Sequence, residues 1–225
     1  MASKRSQGRI KVLPEFAWDA RAGRYRDLST GRFVGRNVII DLLRAVVDTS
    51  ATRLEQLAAM AARGEIPAGL FQQAAMLELK NLHLASAALG AGGWDRLTQA
   101  DFGRVGGILR GEYVYLARFA RDLEKKDLTE AQAMARARLY AGKGYAQYYK
   151  AEMVRKQRAA ERKGKVLMVR WHTLGDNRVC ADCARYGAMG WQPVGTFPVP
   201  GDGSTACLGN CRCSLEYRES DEVAG

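Results

Sequence analysis

The feature that most constrains this chain is the placement of its cysteines, which are absent before residue 180. The first two have the spacing C-x2-C, and after 23 further residues the last three have the spacing C-x3-C-x-C. The five are Cys180, Cys183, Cys207, Cys211 and Cys213. Because a chain of 225 residues can bury a sizeable core, it does not need disulfide cross-links in order to fold.

Paired cysteines at this spacing are typical of metal sites. Two thiolates separated by two residues can bind one ion when the chain turns between them, and structural zinc takes four ligands in a tetrahedron. The pattern predicts a structural Zn²⁺ site made by Cys180, Cys183, Cys207 and Cys211, with Cys213 as the alternative fourth ligand. Disulfides are the alternative, favoured in a protein that works outside the cell. Catalytic zinc is not favoured, because such sites usually include histidine or carboxylate and leave one position for water.

Upstream of the cysteines, apolar residues recur at three- and four-residue spacing, which predicts a helical body over 36–163. We expect four helices, which cover about 37–63, 67–90, 94–124 and 129–163. Thr129 and Gln132 have the spacing of a capping box at the start of the fourth. The apolar stripes are interpreted as core, and His83 as a packed histidine among leucines.

The two ends of the chain differ from this body. Residues 1–35 are predicted to be a basic N-terminal arm, with a small hairpin or a surface turn near 25–34. Residues 164–218 are assigned to a small β-rich, zinc-binding module that opens with a strand over 166–171, and 219–225 to a tail. The predicted fold class is α+β: a mainly α-helical body followed by a small β-rich cysteine-cluster module at the C-terminus. This module has few apolar residues, so we expect bound metal to stabilise it.

The formal net charge of +11 favours an anionic partner such as nucleic acid. Residues 136–165 contain ten Lys or Arg and two Glu, with four tyrosines interleaved. This stretch predicts nonspecific contacts with DNA phosphates; a core-facing stripe with solvated charges is the alternative. The predicted DNA-contacting residues are Arg136, Arg138, Lys143, Lys150, Arg155, Lys156, Arg158, Arg162 and Lys163.

The residues around the cysteines form an ordered motif. W-x-T begins at Trp171, D-x-R-V-C-x-x-C spans 176–183, and N-C-R-C spans 210–213. Over residues 171–217 this motif resembles the terminal motif of the phage head-morphogenesis proteins, the Mu F-like minor head proteins of tailed phages. Members typically have His-Pro before N-C-R-C; here the nearest replacement ligand is Cys207, one residue further upstream.

The resemblance implies an interaction protein rather than an enzyme. It implies a minor head protein, present in multiple copies per particle, that associates with the portal protein or the major capsid protein. Its expected location is the virion, in the capsid interior or at the portal vertex, where it would contact packaged double-stranded DNA nonspecifically. Such a protein is made in the host cytoplasm.

The sequence gives little support for other functional classes. There is no G-x-S-x-G or H-E-x-x-H motif, so no catalytic residue is assigned, and Glu112 and Asp176 are interpreted as hydrogen-bonding groups. No stretch approaches the ~20 apolar residues of a membrane span, and the basic start lacks the apolar run of a secretory signal. The alternative function is a free zinc-containing nucleic-acid-binding protein, with salt-sensitive DNA affinity and no capsid partner.

Overall fold

The computed structural model describes residues 15–221, which form five long helices, one short helix and five strands. The body contains β1 (Phe16–Asp19), β2 (Arg24–Asp27), α1 (Arg36–Ala62), α2 (Ala68–Ala91), α3 (Gln99–Glu124), α4 (Glu130–Gly142) and α5 (Gly144–Glu161). The C-terminal part contains β3 (Val166–His172), α6 (Ala181–Ala188), β4 (Trp191–Pro193) and β5 (Ser214–Ser220). The predicted fold class is confirmed, since a mainly helical body precedes a few strands and a cysteine cluster.

The helices of the body pack pairwise, α1 against α4 and α2 against α5, with α3 against α2. Their shared core contains leucines and aromatic rings that are almost fully buried, and Phe71 meets Phe119 edge-on at 5.1 Å between ring centroids. The predicted capping box is present at the start of α4, where Thr129 Oγ1 accepts a hydrogen bond from the Gln132 amide. Within residues 15–221, no helix is both long and apolar enough to cross a membrane.

The fourth predicted helix is two helices in the structure. α4 ends at Gly142 and α5 begins at Gly144, with Lys143 between them. At this junction the backbone of Gly142 packs directly against the backbone of Gly209 in the C-terminal part of the chain. The third predicted helix also begins later than expected, because Trp94–Arg96 forms a separate 3-10 turn before α3.

The N-terminal hairpin is packed onto the body. β1 and β2 pair antiparallel, and a further bridge joins Arg26 to Phe33. The Tyr25 hydroxyl donates to the Leu89 carbonyl near the end of α2, at 2.6 Å. The hairpin of the predicted arm is therefore held to α2 through Tyr25, whereas residues 1–14 fall outside the described range, as do residues 222–225 of the predicted tail.

The C-terminal part is built on a three-stranded antiparallel sheet with the order β4-β3-β5. The strand predicted over 166–171 is β3, at the centre of this sheet. β5 continues to Ser220, so the first two residues of the predicted tail belong to the sheet. Arg36 links the sheet to the body, because it donates to the Leu215 carbonyl at 2.7 Å and pairs with the buried Glu152 at 3.0 Å.

A polar cluster is buried inside the body, where α2, α3 and the α4–α5 junction meet. His83 Nε2 lies 3.3 Å from Glu112 Oε2, and Lys143 Nζ lies 3.5 Å from Glu112 Oε1. His83 is fully buried, which confirms its interpretation as a packed histidine. Burial lowers the pKa of His83 to about 3 and raises the pKa of Glu112 to about 7, because a dry site disfavours either charge.

The pKa shifts of Glu112 and His83 change the free energy of unfolding in opposite directions as the pH rises. Between its ordinary pKa of 4.5 and about 7, Glu112 keeps a proton in the folded chain that the unfolded chain has lost. Its contribution to stability therefore falls as the pH rises through that window. Between about 3 and 6.5 the unfolded chain holds a proton on His83 that the folded chain lacks, so the His83 contribution rises with pH.

We expect the variant Glu112→Gln to gain roughly 2 kcal/mol of unfolding free energy relative to the wild type as the pH rises from about 5 to 7, because the substitution removes the ionisation cost. Urea unfolding followed by circular dichroism at each pH measures this difference, and subtraction of the wild type cancels contributions common to both proteins. Glu124→Gln, which changes an exposed carboxyl on the same helix, is the matched control. A pH-independent difference for Glu112→Gln would contradict the prediction.

Candidate metal centre

The cysteines are brought together by the turns around the three-stranded sheet. Cys180 immediately precedes α6 and Cys183 lies in its first turn. Cys207 and Cys211 flank a 3-10 turn over Leu208–Asn210, and Cys213 comes directly before β5. All five are free thiols.

The sulfur atoms form two overlapping groups of three that share Cys183. Cys180, Cys183 and Cys207 make one group, and Cys183, Cys211 and Cys213 the other, with the sulfurs in each group within 4.8 Å of one another. Cys183 Sγ lies 3.7 Å from both Cys207 Sγ and Cys211 Sγ. Four thiolates at ~2.3 Å from a tetrahedral zinc ion are about 3.8 Å apart. The two measured separations from Cys183 match that value, and three sulfurs of each predicted set of four lie within 4.8 Å of one another.

A small hollow of about 20 Å³ lies against the cluster. This volume is of the size that one water molecule or ion occupies. Its sulfur-bearing walls are Cys180, Cys183, Cys207 and Cys213. The hollow therefore favours Cys213 as the fourth donor, whereas the 3.7 Å sulfur separation favours Cys211. Both remain candidates.

Without a cation, the thiols at the centre of the cluster are hard to ionise. Burial raises the pKa of Cys183, and the hydrogen bond with Cys213 together with burial raises the pKa of Cys211. Several thiolates at this spacing would also repel one another. A divalent ion supplies the missing positive charge, so these cysteines can hold a metal ion, and binding would release their protons.

Two polar side chains that the sequence analysis did not single out support the cluster. The Thr205 hydroxyl lies 3.2 Å from Cys207 Sγ, at hydrogen-bond distance. Asp182 Oδ2 accepts a hydrogen bond from the Ala206 amide at 2.9 Å and so ties α6 to the returning loop. Asp182 is adjacent to Cys183 and Thr205 lies two residues before Cys207, and this proximity is the only indication of their role in the sequence.

The turn between Cys207 and Cys211 has an unusual backbone. Leu208 adopts a left-handed conformation (φ 50°), which residues with a side chain rarely adopt.

The non-cysteine residues of the motif also meet in space. Arg212 donates two hydrogen bonds to the Asp176 carboxylate, at 2.7 and 2.8 Å, and thereby joins the first half of the motif to the second. The same hydrogen bonds lower the pKa of Asp176 to about 2. Trp171 is buried and its ring packs against Tyr186 and Phe197, so the module has a small aromatic core beside the thiols.

Most of the predicted DNA-contacting residues have partners inside the molecule. Arg136 pairs with Asp122, Arg138 with Glu55, Lys143 with Glu112 and Lys163 with Glu219. Arg155 and Lys156 lie over the rings of Trp18 and Tyr217. Within residues 15–221, the three of the set with no ion pair or ring contact are Lys150, Arg158 and Arg162.

The four tyrosines of the basic stretch lie in the hydrophobic core or pack against it. Tyr148 and Tyr149 are buried, and Tyr140 stacks on Phe119 with a centroid separation of 6.2 Å. Tyr145 is half-buried, and burial raises its pKa to about 12. The helix α5 is therefore mainly a core helix. Of its remaining cations, Lys150 is half-buried, whereas Arg158 and Arg162 are exposed at its C-terminal end.

No protein-family model, curated protein or solved structure matches this chain. The resemblance of residues 171–217 to the head-morphogenesis motif therefore stays a prediction.

Proposed function

We propose that this chain is a metal-stabilised minor head protein of a tailed phage, an interaction protein rather than an enzyme. The observation that carries the proposal is the bidentate pairing of Asp176 with Arg212, which joins two halves of the motif that are 36 residues apart. That pairing lies beside the thiols, so the motif residues act as one structural unit. A rigid unit of this kind suits docking onto the portal protein or the capsid interior.

The metal that we propose is zinc, in a structural role. Four thiolates in a tetrahedron are a common structural zinc site, whereas a catalytic site would keep an open position for water. The 3.7 Å sulfur separations support a closed site of that size. Elemental analysis of protein purified in reductant tests this proposal, with about one zinc per chain as the expected content.

The proposal for the particle is tested by co-expression of the chain with the portal protein of the phage that encodes it. We expect the two to elute together from a sizing column and the chain to be present in purified virions. Virions that lack the chain would contradict the proposal. A chain that binds DNA but neither portal nor capsid would instead favour a free nucleic-acid-binding protein.

We also propose nonspecific contact with DNA, through the exposed cations Arg158 and Arg162 at the C-terminal end of α5. We expect the affinity for a random-sequence duplex to fall steeply with salt, because each neutralised phosphate releases counterions. Charge reversal of both Arg158 and Arg162 should reduce the log–log salt slope by about 2. Fluorescence anisotropy measures the slope, and Arg110→Glu on the exposed side of α3 is the matched control. An unchanged slope in the double variant would remove DNA contact from this face.

A further inference from the structure

An open cleft of about 860 Å³ lies between the helical body and the C-terminal module. One wall is α1, the other consists of residues near 172–178 and 209–214, and the α4–α5 junction forms the floor. Ligand-binding pockets have volumes of this order. The cleft borders the metal cluster, because Cys211 and Cys213 lie in its lining. It is large enough for a ligand and is not occupied by the described part of the chain.

The charged side chains of the cleft are mostly positive, because five arginines line it against two aspartates. Four of the five arginines already have acidic partners: Arg36 pairs with Glu152, Arg44 with Asp41, Arg138 with Glu55 and Asp48, and Arg212 with Asp176. Arg178 is different, since its side chain is exposed and forms no ion pair with any residue in 15–221. Its guanidinium is attracted by Asp176, but Arg212 already holds that carboxylate with two hydrogen bonds, so Arg178 can still bind a carboxylate of a ligand.

Asn210 lines the same cleft as Arg178 and also the same small hollow against the thiols. Asn210 is exposed, and its side-chain amide makes no hydrogen bond within the described range. Together the two side chains offer several donors to a ligand in the cleft. A carboxylate held there would be fixed in orientation as well as charge.

Apolar side chains also line the cleft. Ile40 and Val47 line it from α1, and Tyr145 lines it from α5. On the opposite wall the Leu174 side chain is 52% exposed, which is high for a leucine beside a cleft. A ligand that fits would therefore carry apolar groups as well as an acid.

This combination separates two classes of anionic ligand. Asp41 and Asp48 on the α1 wall pair with Arg44 and Arg138, so those two arginines are not free to bind phosphates. A nucleic acid strand with a charge on every phosphate would therefore find few unpaired cations in the cleft. A peptide needs only one carboxylate at Arg178 and can place apolar side chains along the rest of the wall. The chain's own first 14 residues do not suit the cleft either, since they contain four Lys or Arg and no acidic residue.

We propose that the cleft binds a short peptide segment of a partner protein that combines acidic and apolar side chains, with a carboxylate held by Arg178 and Asn210. This inference stands on the cleft and does not depend on the role in a phage head. Failure of portal co-elution would leave it intact, and failure of peptide binding would leave the particle assignment intact.

The test is selection of a displayed random heptapeptide library on the full chain loaded with zinc, followed by anisotropy with the selected peptides. We expect sequences enriched in Asp or Glu together with apolar residues. Arg178→Glu should weaken their binding at least tenfold, because it replaces the carboxylate partner with a like charge. Arg110→Glu makes the same charge change at an exposed site outside the cleft and should leave binding unchanged.

A second variant separates loss of peptide binding from damage to the metal site, since Arg178 is close to Cys180 in the sequence. Leu174→Asp places a charge on the apolar wall and should also weaken binding at least tenfold, with an unchanged zinc content. Recovery of no peptide, of peptides without acidic residues, or of peptides that bind both variants normally would overturn the proposal. Binding of single-stranded decathymidylate in place of peptides, with its affinity lost in Arg178→Glu, would overturn it in favour of nucleic acid.

Discussion

Serine in place of Cys183 should release the metal and unfold the terminal module while the helical body stays folded. Cys183 is the one thiol that belongs to both sulfur groups, so neither group can close around an ion without it. Structural zinc sites in small domains supply ~10–16 kcal/mol of apparent binding free energy, and most of it is available only to the folded state. Loss of this ligand should therefore have one of the largest effects of any single substitution in the chain.

The measurement is metal content per chain combined with hydrogen exchange of peptides from residues 164–221. Zinc content should fall from about one to near zero, and exchange in this segment should accelerate strongly, whereas α2 and α5 stay protected. Met189→Ala, an exposed side chain in the same module, should change neither quantity. Normal zinc content in Cys183→Ser would show that the cluster is not the metal site.

The same measurement on Cys211→Ser and Cys213→Ser identifies the fourth ligand. A variant that loses zinc has lost a ligand, whereas a variant that keeps zinc has lost a thiol that does not bind the ion. The 3.7 Å sulfur separation favours loss of zinc in Cys211→Ser, and the walls of the hollow favour loss of zinc in Cys213→Ser. Equal, partial loss in both would mean that the two thiols share the fourth position.

The long helices and the clustering of the thiols could be predicted from the sequence, because both have a strong local signal. Apolar periodicity located α1 and α2 to within a few residues, and the paired spacing of the cysteines indicated one shared site. α6 was not predicted, since it has only eight residues and its first turn overlaps the C-x2-C pair. Short elements of this kind form through tertiary contacts, here the burial of Cys183.

Long-range pairing explains what the sequence could not supply. The basic stretch gave a correct count of cations, but their partners lie on distant elements: Glu55 is 83 residues from Arg138, and Glu219 is 56 residues from Lys163. The buried pair of His83 with Glu112 also depends on how α2 and α3 pack. Local patterns show which residues are charged, whereas only the fold shows which charges remain free.

The contact between Gly142 and Gly209 links the helical body to the metal-binding turn, and it leads to the second prediction of large effect. A Cβ on Gly142 would overlap the Gly209 carbonyl oxygen and lie 2.6 Å from its carbonyl carbon. These are backbone atoms of the 3-10 turn between Cys207 and Cys211, so they cannot move aside without moving the thiols. The glycine is required here by close approach of two backbones rather than by its own dihedral angles.

We expect Gly142→Ala to lower the unfolding free energy by about 3 kcal/mol, through overpacking at a rigid contact, and to weaken zinc binding as the turn is displaced. Gly111→Ala is the matched control, because Gly111 lies on the exposed side of α3 with no atom within 4 Å of an added Cβ. That control should stabilise the chain by roughly 0.5–1 kcal/mol, since alanine favours a helix interior more than glycine does. Urea unfolding and a competition assay for zinc with a chromogenic chelator measure the two effects. If Gly142→Ala behaved like Gly111→Ala, the body and the module would not be in contact at this junction, and the metal-binding turn would be held by its own module alone.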